Sequence, residues 1–209
     1  EGHTGLSREQ LIDRTCEALT FNDRKALGEI LAKDIEAQEL SLAPNGLVQN
    51  RWTAIREARL ARFLFALSRA RQPLRIPMKA IEAELAHVEA RHSLSREQAS
   101  AVRAALTNGA SIITGGPGTG KTHTIKAIIE TAQRAARSGP DARPLNIMLL
   151  APTGKAADRM SEATGHDAST VHMALGRDFE TGGFKHDESN PLEADLIVAD
   201  EFSMMDTRI

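Results

Sequence analysis

The residues best suited to chemistry in this sequence form one glycine-rich run that ends in a lysine and a threonine. The run follows the pattern G-x-x-x-x-G-K-[ST] and reads Gly115-Gly116-Pro117-Gly118-Thr119-Gly120-Lys121-Thr122. Its glycines let successive backbone N–H groups point at phosphate oxygens, and a helix that begins near Lys121 adds its positive dipole end. Lys121 would reach the β- and γ-phosphates, and the Thr122 hydroxyl would bind Mg²⁺. The sequence therefore predicts an ATP site with Mg²⁺, contacted by Gly116, Pro117, Gly118, Thr119, Gly120, Lys121, Thr122 and His123.

Two adjacent carboxylates follow a second apolar run, Leu196 to Ala199. In a parallel sheet this run would be buried on both faces, and Asp200 would lie at the carboxyl edge, where ligands of open α/β sheets bind. We expect Asp200 to hold Mg²⁺ through its water shell and Glu201 to orient and deprotonate the attacking water. The catalytic residues are then Lys121 and Glu201. The alternative is an apolar strand that ends in solvated acids.

The elements that must position these groups alternate between strand and helix patterns in the second half of the chain. Such an order predicts an α/β fold, a parallel sheet with flanking helices. The predicted elements are strand 111–114, helix 121–137, strand 146–151, helix 154–164 and strand 195–199.

The first half reads as mainly helical. Helical spacing runs from Leu6 to about Leu40, a turn follows at 44–46, Leu47 to Gln49 fits a short strand, and another helix begins near Trp52. Helices followed by a small hairpin suggest a winged-helix-like module. The predicted division is a module at 1–72, a connecting helix at 73–92 (its helical pattern running from Met78 to Ala90), and an ATPase domain at 93–209.

Composition and charge exclude several classes of protein. The chain is 41% hydrophobic and 26% charged, typical of a globular protein, and its net charge of -2 gives no global attraction for nucleic acid. No apolar run reaches the roughly 18 residues that span a bilayer, so we expect a cytoplasmic protein without membrane contact. Cys16 is the only cysteine, which excludes an intramolecular disulfide.

One segment is strongly basic: Arg51 to Arg75 contains seven arginines and one glutamate. Arg56, Arg59 and Arg62 recur at helical spacing, which fits a face that contacts phosphates. It equally fits a solvated face opposite a packed apolar one, and the sequence leaves both possibilities open.

A pentapeptide, LSREQ, occurs at Leu6 to Gln10 and again at Leu94 to Gln98. Each copy fits a capping box, in which Ser caps a helix and Gln three residues later bonds back to it. The repeat therefore predicts two helix starts.

Four motifs in this order resemble the RecD-like family of superfamily 1 DNA helicases: GGPGTGKT, APTGKAADRM, STVHMAL and DEFSMMD. The resemblance covers roughly Leu94 to Asp206 well and Glu1 to Ala70 more weakly. It implies a RecA-like ATPase fold and 5′ to 3′ movement on single-stranded DNA. Phe202 departs from the family pattern, in which a small residue follows the acidic pair.

The resemblance also assigns roles to individual residues. Pro152, Thr153 and Gly154 would contact the DNA backbone through main-chain N–H groups and the Thr hydroxyl, and Lys155 would add charge. Thr170 and His172 would contact the DNA or link it to the ATP site, although His172 also fits a packed or surface imidazole. Gln98 would read the adenine edge, although the capping box explains the same residue locally.

The expected partner is single-stranded DNA, or DNA with a single-stranded end, and nuclease or repair subunits stay unidentified. Family motors need a second RecA-like domain with arginine fingers, so we expect this chain to be an incomplete, N-terminal part of a helicase. Three other functions remain open: the helicase part of a conjugative relaxase, a P-loop ATPase that remodels protein, and a binding role for the N-terminal module.

Overall fold

The computed structural model describes residues 5–69, 74–138, 142–178, 180 and 182–205 of the chain. Contacts between residues divide it into two compact units, the first reaching Phe63 and the second beginning at Leu64. The predicted domain boundary at 72/73 falls on residues outside the described ranges and stays a prediction.

The first unit combines helices with a small antiparallel sheet. Its elements are β1 (Leu6–Ser7), α1 (Arg8–Leu19), α2 (Arg24–Glu36), β2 (Leu40–Leu42), β3 (Leu47–Asn50) and the greater part of α3 (Arg51–Ser68), whose last residues belong to the second unit. The sheet order is β1-β3-β2, with Val48 opposite both Leu6 and Leu42. Gly46, in the turn between β2 and β3, has φ +81°, a conformation that favours glycine. The predicted helices and the strand near 47–49 are present, while the winged-helix assignment stays a prediction.

Helix α3 carries the basic segment. Arg56, Arg59 and Arg62 are exposed, and within α3 itself no residue is buried. Several large apolar side chains of α3 are exposed as well, with Leu60 at 47% and Phe63 at 57%. Both explanations of the basic segment, a face that contacts phosphates and a solvated face, therefore stay predictions.

Among its described residues, the second unit begins with three helices, and a parallel sheet with two further helices between its strands follows. Its elements are α4 (Met78–His92), α5 (Arg96–Thr107), α6 (Lys121–Arg137), β4 (Ile147–Ala151), α7 (Gly154–Thr164), β5 (Ala168–Thr170), α8 (Val171–Leu175) and β6 (Leu196–Ala199). A single 3₁₀ turn, Phe202–Met204, follows β6. The parallel strands have the order β5-β4-β6. These bounds confirm the predicted helices at 121–137 and 154–164 and the strands at 146–151 and 195–199.

Helix α6 joins the helices of this unit to its sheet. On one side its alanines, Ala127, Ala132 and Ala135, lie in a buried cluster with residues of α4 and α5, including Leu85 and Val102. On the other side Ile125 and Ile129 pack against Leu149 of β4 and Met160 of α7. Small side chains let helices approach closely and branched ones fill the space above the sheet, so both interfaces hold α6 in one position.

Two predictions about strands are wrong. The segment 111–114 is not a strand: it pairs with no described strand, and Ile112 is 90% exposed. An apolar run becomes a strand only where a neighbouring strand accepts its backbone hydrogen bonds. The run before Asp200 does form β6, but it is half-exposed rather than buried on both faces, and Ile197 is 46% exposed. Among the described strands, β6 pairs with β4 alone and so forms an edge.

A charged contact fixes the end of β6 opposite its carboxylates. Arg143 donates from both terminal nitrogens to Asp195, at 2.8 and 2.5 Å, and the Asn146 backbone N–H donates to the same carboxylate at 2.8 Å. The Arg143 hydrogen bonds lower the pKa of Asp195 despite its partial burial. The start of β6 is thereby aligned with the start of β4.

Among the described residues, no helix is both long enough and apolar enough to cross a bilayer.

We expect Leu85→Ala to lower the free energy of unfolding by about 2 to 5 kcal/mol, because it leaves a cavity between α4 and α6. Leu85 is 1% exposed. Met78→Ala, on the same helix, is the matched control, since Met78 is 45% exposed and should change stability little. Urea denaturation followed by circular dichroism measures both variants, and equal losses would contradict the packing described above.

Candidate nucleotide-binding site

The glycine-rich loop ends where α6 begins, and its lysine lies across the loop. The Lys121 ammonium donates to the carbonyl oxygens of Gly115 and Gly116, at 2.8 and 3.1 Å. The first helical bond of α6 runs from Thr124 N–H to Gly120 O at 2.9 Å. The N–H groups of Lys121, Thr122 and His123 precede it and have no partner within the helix, which leaves them available to an anion.

Glycine is required at particular positions in the loop. Gly118 and Gly120 have φ of +75° and +81°, a region that side chains with a Cβ rarely adopt. A Cβ on Gly115 would lie 2.5 Å from the Thr119 hydroxyl, which donates to Gly116 O at 2.9 Å. The loop therefore closes on itself through Thr119, and its concave backbone suits phosphate oxygens.

Two side chains from outside the loop hold it in place. The Gln98 side-chain amide donates to Thr119 O at 3.3 Å. The His123 ring Nε2 lies 3.1 Å from the carbonyl oxygen of His92, the last residue of α4. The loop is thus tied to the corner between α4 and α5 on either side of Gly120.

A polar cluster lies behind this contact. The His92 ring Nε2 is 2.7 Å from Glu130 of α6, and Arg91 is 2.9 Å from the other oxygen of the same carboxylate. Burial raises the pKa of Glu130, but the His92 hydrogen bond and the Arg91 charge outweigh it, and the pKa is lowered overall. Glu130 therefore stays ionised and fastens the end of α4 to α6.

The two carboxylates lie at the carboxyl end of β6, as the sequence predicts. The Asp200 backbone N–H donates to Leu150 O at 3.0 Å, which extends the pairing with β4 by one step. The Asp200 side chain accepts the Glu201 N–H at 2.9 Å, and Glu201 has φ +51°. The chain turns sharply here, so the exposed Glu201 leaves the line of the strand.

Thr122 and Asp200 have the oxygen donors that Mg²⁺ prefers. Within the described part of the chain, no group of three or more His, Cys, Asp and Glu side chains could hold a metal ion. Mg²⁺ commonly takes only one or two protein oxygens and completes its shell with water and substrate phosphates. The residues present fit that mode of binding, in which the ion would neutralise phosphate charge.

The predicted DNA-contacting residues gather at the same edge of the sheet. Ala151 ends β4 and is paired with Thr170, the last residue of β5. Thr153 caps α7, its hydroxyl accepting the Ala156 N–H at 3.3 Å, and Thr170 caps α8 in the same way through Met173 at 3.2 Å. The parallel register thus brings two capped helix starts side by side.

The residues at this edge differ in the hydrogen-bond donors that they could present to DNA. Pro152 has no backbone N–H, so the expected main-chain donation from it is chemically excluded. Gly154 and Lys155, both exposed, are the first residues of α7 and supply unbonded N–H groups. The exposed His172 ring lies 6.0 Å, centroid to centroid, from Phe184.

Sequence reasoning missed the support of the loop by Gln98, His92 and Glu130. The LSREQ repeat signalled a helix cap, and both capping boxes are confirmed. Nothing in the repeat indicated that one copy would also contact the phosphate loop. His92 and Glu130 are separated by 38 positions and share no motif, so their contact depends on how α4 packs on α6.

Alanine at Gly118 or Gly120 tests the loop. Both positions have positive φ, so each variant should lose about 1 to 2 kcal/mol of stability. A Cβ at Gly120 would also meet the Gln98 amide nitrogen at 2.6 Å, whereas one at Gly118 meets nothing within 4 Å. We therefore expect Gly120→Ala to be the more destabilised of the two in urea denaturation, and the reverse order would contradict the loop geometry.

Comparison with known proteins identifies a family for the second part of the chain. Residues 98–209 match the family described as the AAA domain. The chain is 44% identical over 117 residues to the ATP-dependent RecD2 DNA helicase of Deinococcus radiodurans, covering 56% of this chain and 15% of that protein. It is 41% identical over 128 residues to the RecBCD enzyme subunit RecD of Mycolicibacterium smegmatis, covering 52% and 23%. With the corresponding subunit of Haemophilus influenzae the identity is 37% over 127 residues, covering 51% and 19%.

The matched part of the chain thus spans less than a quarter of the length of each of these relatives. The resemblance to RecD-like helicases, first drawn from four motifs, is confirmed over this part. Since the family match covers more than half of its residues, the chain belongs to the AAA domain family, and within it resembles the RecD-type helicases.

Proposed function

We propose that this chain is the ATP-binding part of a DNA helicase that uses ATP hydrolysis to move along single-stranded DNA in repair or recombination. One observation carries the proposal. The parallel register of β5, β4 and β6 places two capped helix starts and a carboxylate pair along one edge of a sheet, in a chain that also carries a phosphate loop. The phosphate loop leads into α6, which packs on this sheet, so the sheet and α6 together would hold nucleotide and backbone phosphates.

In this proposal the phosphate loop binds ATP through its backbone and Lys121. The ammonium, now on two loop carbonyls, lies within the loop and would transfer its hydrogen bonds to the β- and γ-phosphates. Thr122 and Asp200 would hold Mg²⁺, Asp200 through water. The exposed Glu201 would orient the attacking water and accept its proton.

The DNA backbone would be held by the start of α7. Gly154 and Lys155 are exposed, and their N–H groups have no partner within α7, so a phosphate oxygen could accept from them. Thr153 accepts a cap bond and keeps its hydroxyl hydrogen for a phosphate oxygen. Thr170 is placed beside this turn by its pairing with Ala151, and His172 follows it. Movement from 5′ to 3′ rests on the family resemblance.

Glu201→Gln should leave ATP binding within about twofold and reduce hydrolysis at least about 100-fold, because the amide cannot accept a proton from water. Equilibrium binding of ATP and phosphate release, measured on a protein that contains the complete motor, separate the two effects. Unchanged turnover would remove Glu201 from the proposed role. A large loss of binding would assign it to nucleotide contact instead.

ATP hydrolysis measured with and without single-stranded DNA tests the proposed function directly. We expect strong stimulation by DNA, and loss of activity in Lys121→Ala, because the lysine charge is removed from the phosphates. Lys126→Ala is the matched control, as Lys126 lies on the same helix and is exposed. Equal hydrolysis in both conditions would refute a DNA motor and favour a protein-remodelling ATPase.

A further inference from the structure

Both ends of the Gln98 side-chain amide are used within the protein. Its oxygen accepts the Ser95 N–H at 3.0 Å, which completes the capping box of α5. Its nitrogen donates to Thr119 O in the phosphate loop at 3.3 Å. One half-buried side chain therefore joins the start of a helix to the loop.

The other LSREQ copy, Leu6 to Gln10, shows that the helix cap does not depend on the contact with the loop. Gln10 forms the same capping box in the first unit, with Ser7 N–H to Gln10 Oε1 at 3.1 Å and Gln10 N–H to Ser7 Oγ at 3.2 Å. The corresponding bonds at α5 are 3.0 and 3.2 Å. The cap uses only the oxygen of the side-chain amide. The amide nitrogen of Gln98 can therefore donate to the loop while the cap of α5 stays intact.

The loop is shaped around this nitrogen. A Cβ on Gly120 would lie 2.6 Å from it, so the missing side chain leaves the space that the amide occupies. The contact with Thr119 precedes Gly120, and the contact of His123 with the His92 carbonyl follows it. A single corner of the chain thus fixes the loop on both sides of its left-handed glycine.

We propose that Gln98 is a positioning residue for the phosphate loop, which acts on a bound triphosphate through the Thr119 carbonyl and without regard to the base. This inference rests on the proposed function, and it adds a hold on the phosphate loop to the adenine contact that the family resemblance implies for Gln98. A loop held in its binding conformation binds phosphates more tightly, because less ordering remains to be done when the ligand arrives.

Two variants of the 209-residue chain share only the loss of the donor to Thr119. Gln98→Glu keeps an acceptor for Ser95 N–H, as capping boxes use either residue, but adds a charge. Gln98→Met is neutral and similar in length, but loses the cap. Gln10→Glu and Gln10→Met are the matched controls, since they make the same changes to the same cap in the first unit.

The probes are ATP, GTP and inorganic triphosphate, each with Mg²⁺, titrated by calorimetry. Both Gln98 variants should raise the Kd for GTP and for inorganic triphosphate about threefold to tenfold, as expected for one lost hydrogen bond, and the Kd for ATP by at least the same factor. The Gln10 variants should leave each Kd unchanged. Weakened binding of ATP alone would show that Gln98 reads adenine and would overturn the proposal.

Hydrogen exchange of the amides from Gly116 to Gly120, without nucleotide, gives a second and independent measurement. Exchange should be faster in both Gln98 variants and unchanged in both Gln10 variants. Unaltered exchange would overturn the proposal whatever the titrations give. If the wild-type chain binds none of the probes, the proposed function is refuted. Faster amide exchange in the Gln98 variants would even then show that Gln98 holds the loop.

Discussion

The burial of α6 on two sides is the constraint on which the second unit depends. Its buried residues include Ile128 toward α4 and α5, and Ile129 toward the sheet. A helix that packs on both sides can neither slide nor rotate without opening one of two well-packed interfaces. Because the phosphate loop is the direct continuation of α6, this packing also fixes the point at which its backbone N–H groups are presented.

The parallel sheet aligns the residues that follow its strands. Parallel pairing sets Ala151 beside Thr170 and Leu150 beside Ala199, so the residues after each strand come out at one edge. Each strand then ends in a different chemistry: a helix-capping threonine with unbonded N–H groups, a second capping threonine, or a pair of carboxylates. The ion pair between Arg143 and Asp195 fixes the opposite edge, which makes a slip in the register of β6 costly.

The two LSREQ copies show how tertiary context changes the use of one local sequence. Locally they behave identically, since both form capping boxes with nearly equal bond lengths. Only the second copy follows α4, whose end is fastened to α6 through Glu130 and His123. That neighbourhood, rather than the pentapeptide, brings Gln98 to the phosphate loop.

The sequence by itself determined the phosphate loop, the acidic pair, helices α6 and α7 and strands β4 and β6, because these depend on local backbone chemistry and on short-range apolar periodicity. It predicted a strand at 111–114 and a doubly buried run before Asp200, and both failed, since strand formation and burial depend on which neighbours are present. The tertiary structure alone decided the contacts of Gln98 with Thr119 and of His92 with Glu130. Such contacts join residues far apart in the chain, and the packing of helices on one another, which no local pattern encodes, brings them within hydrogen-bonding distance.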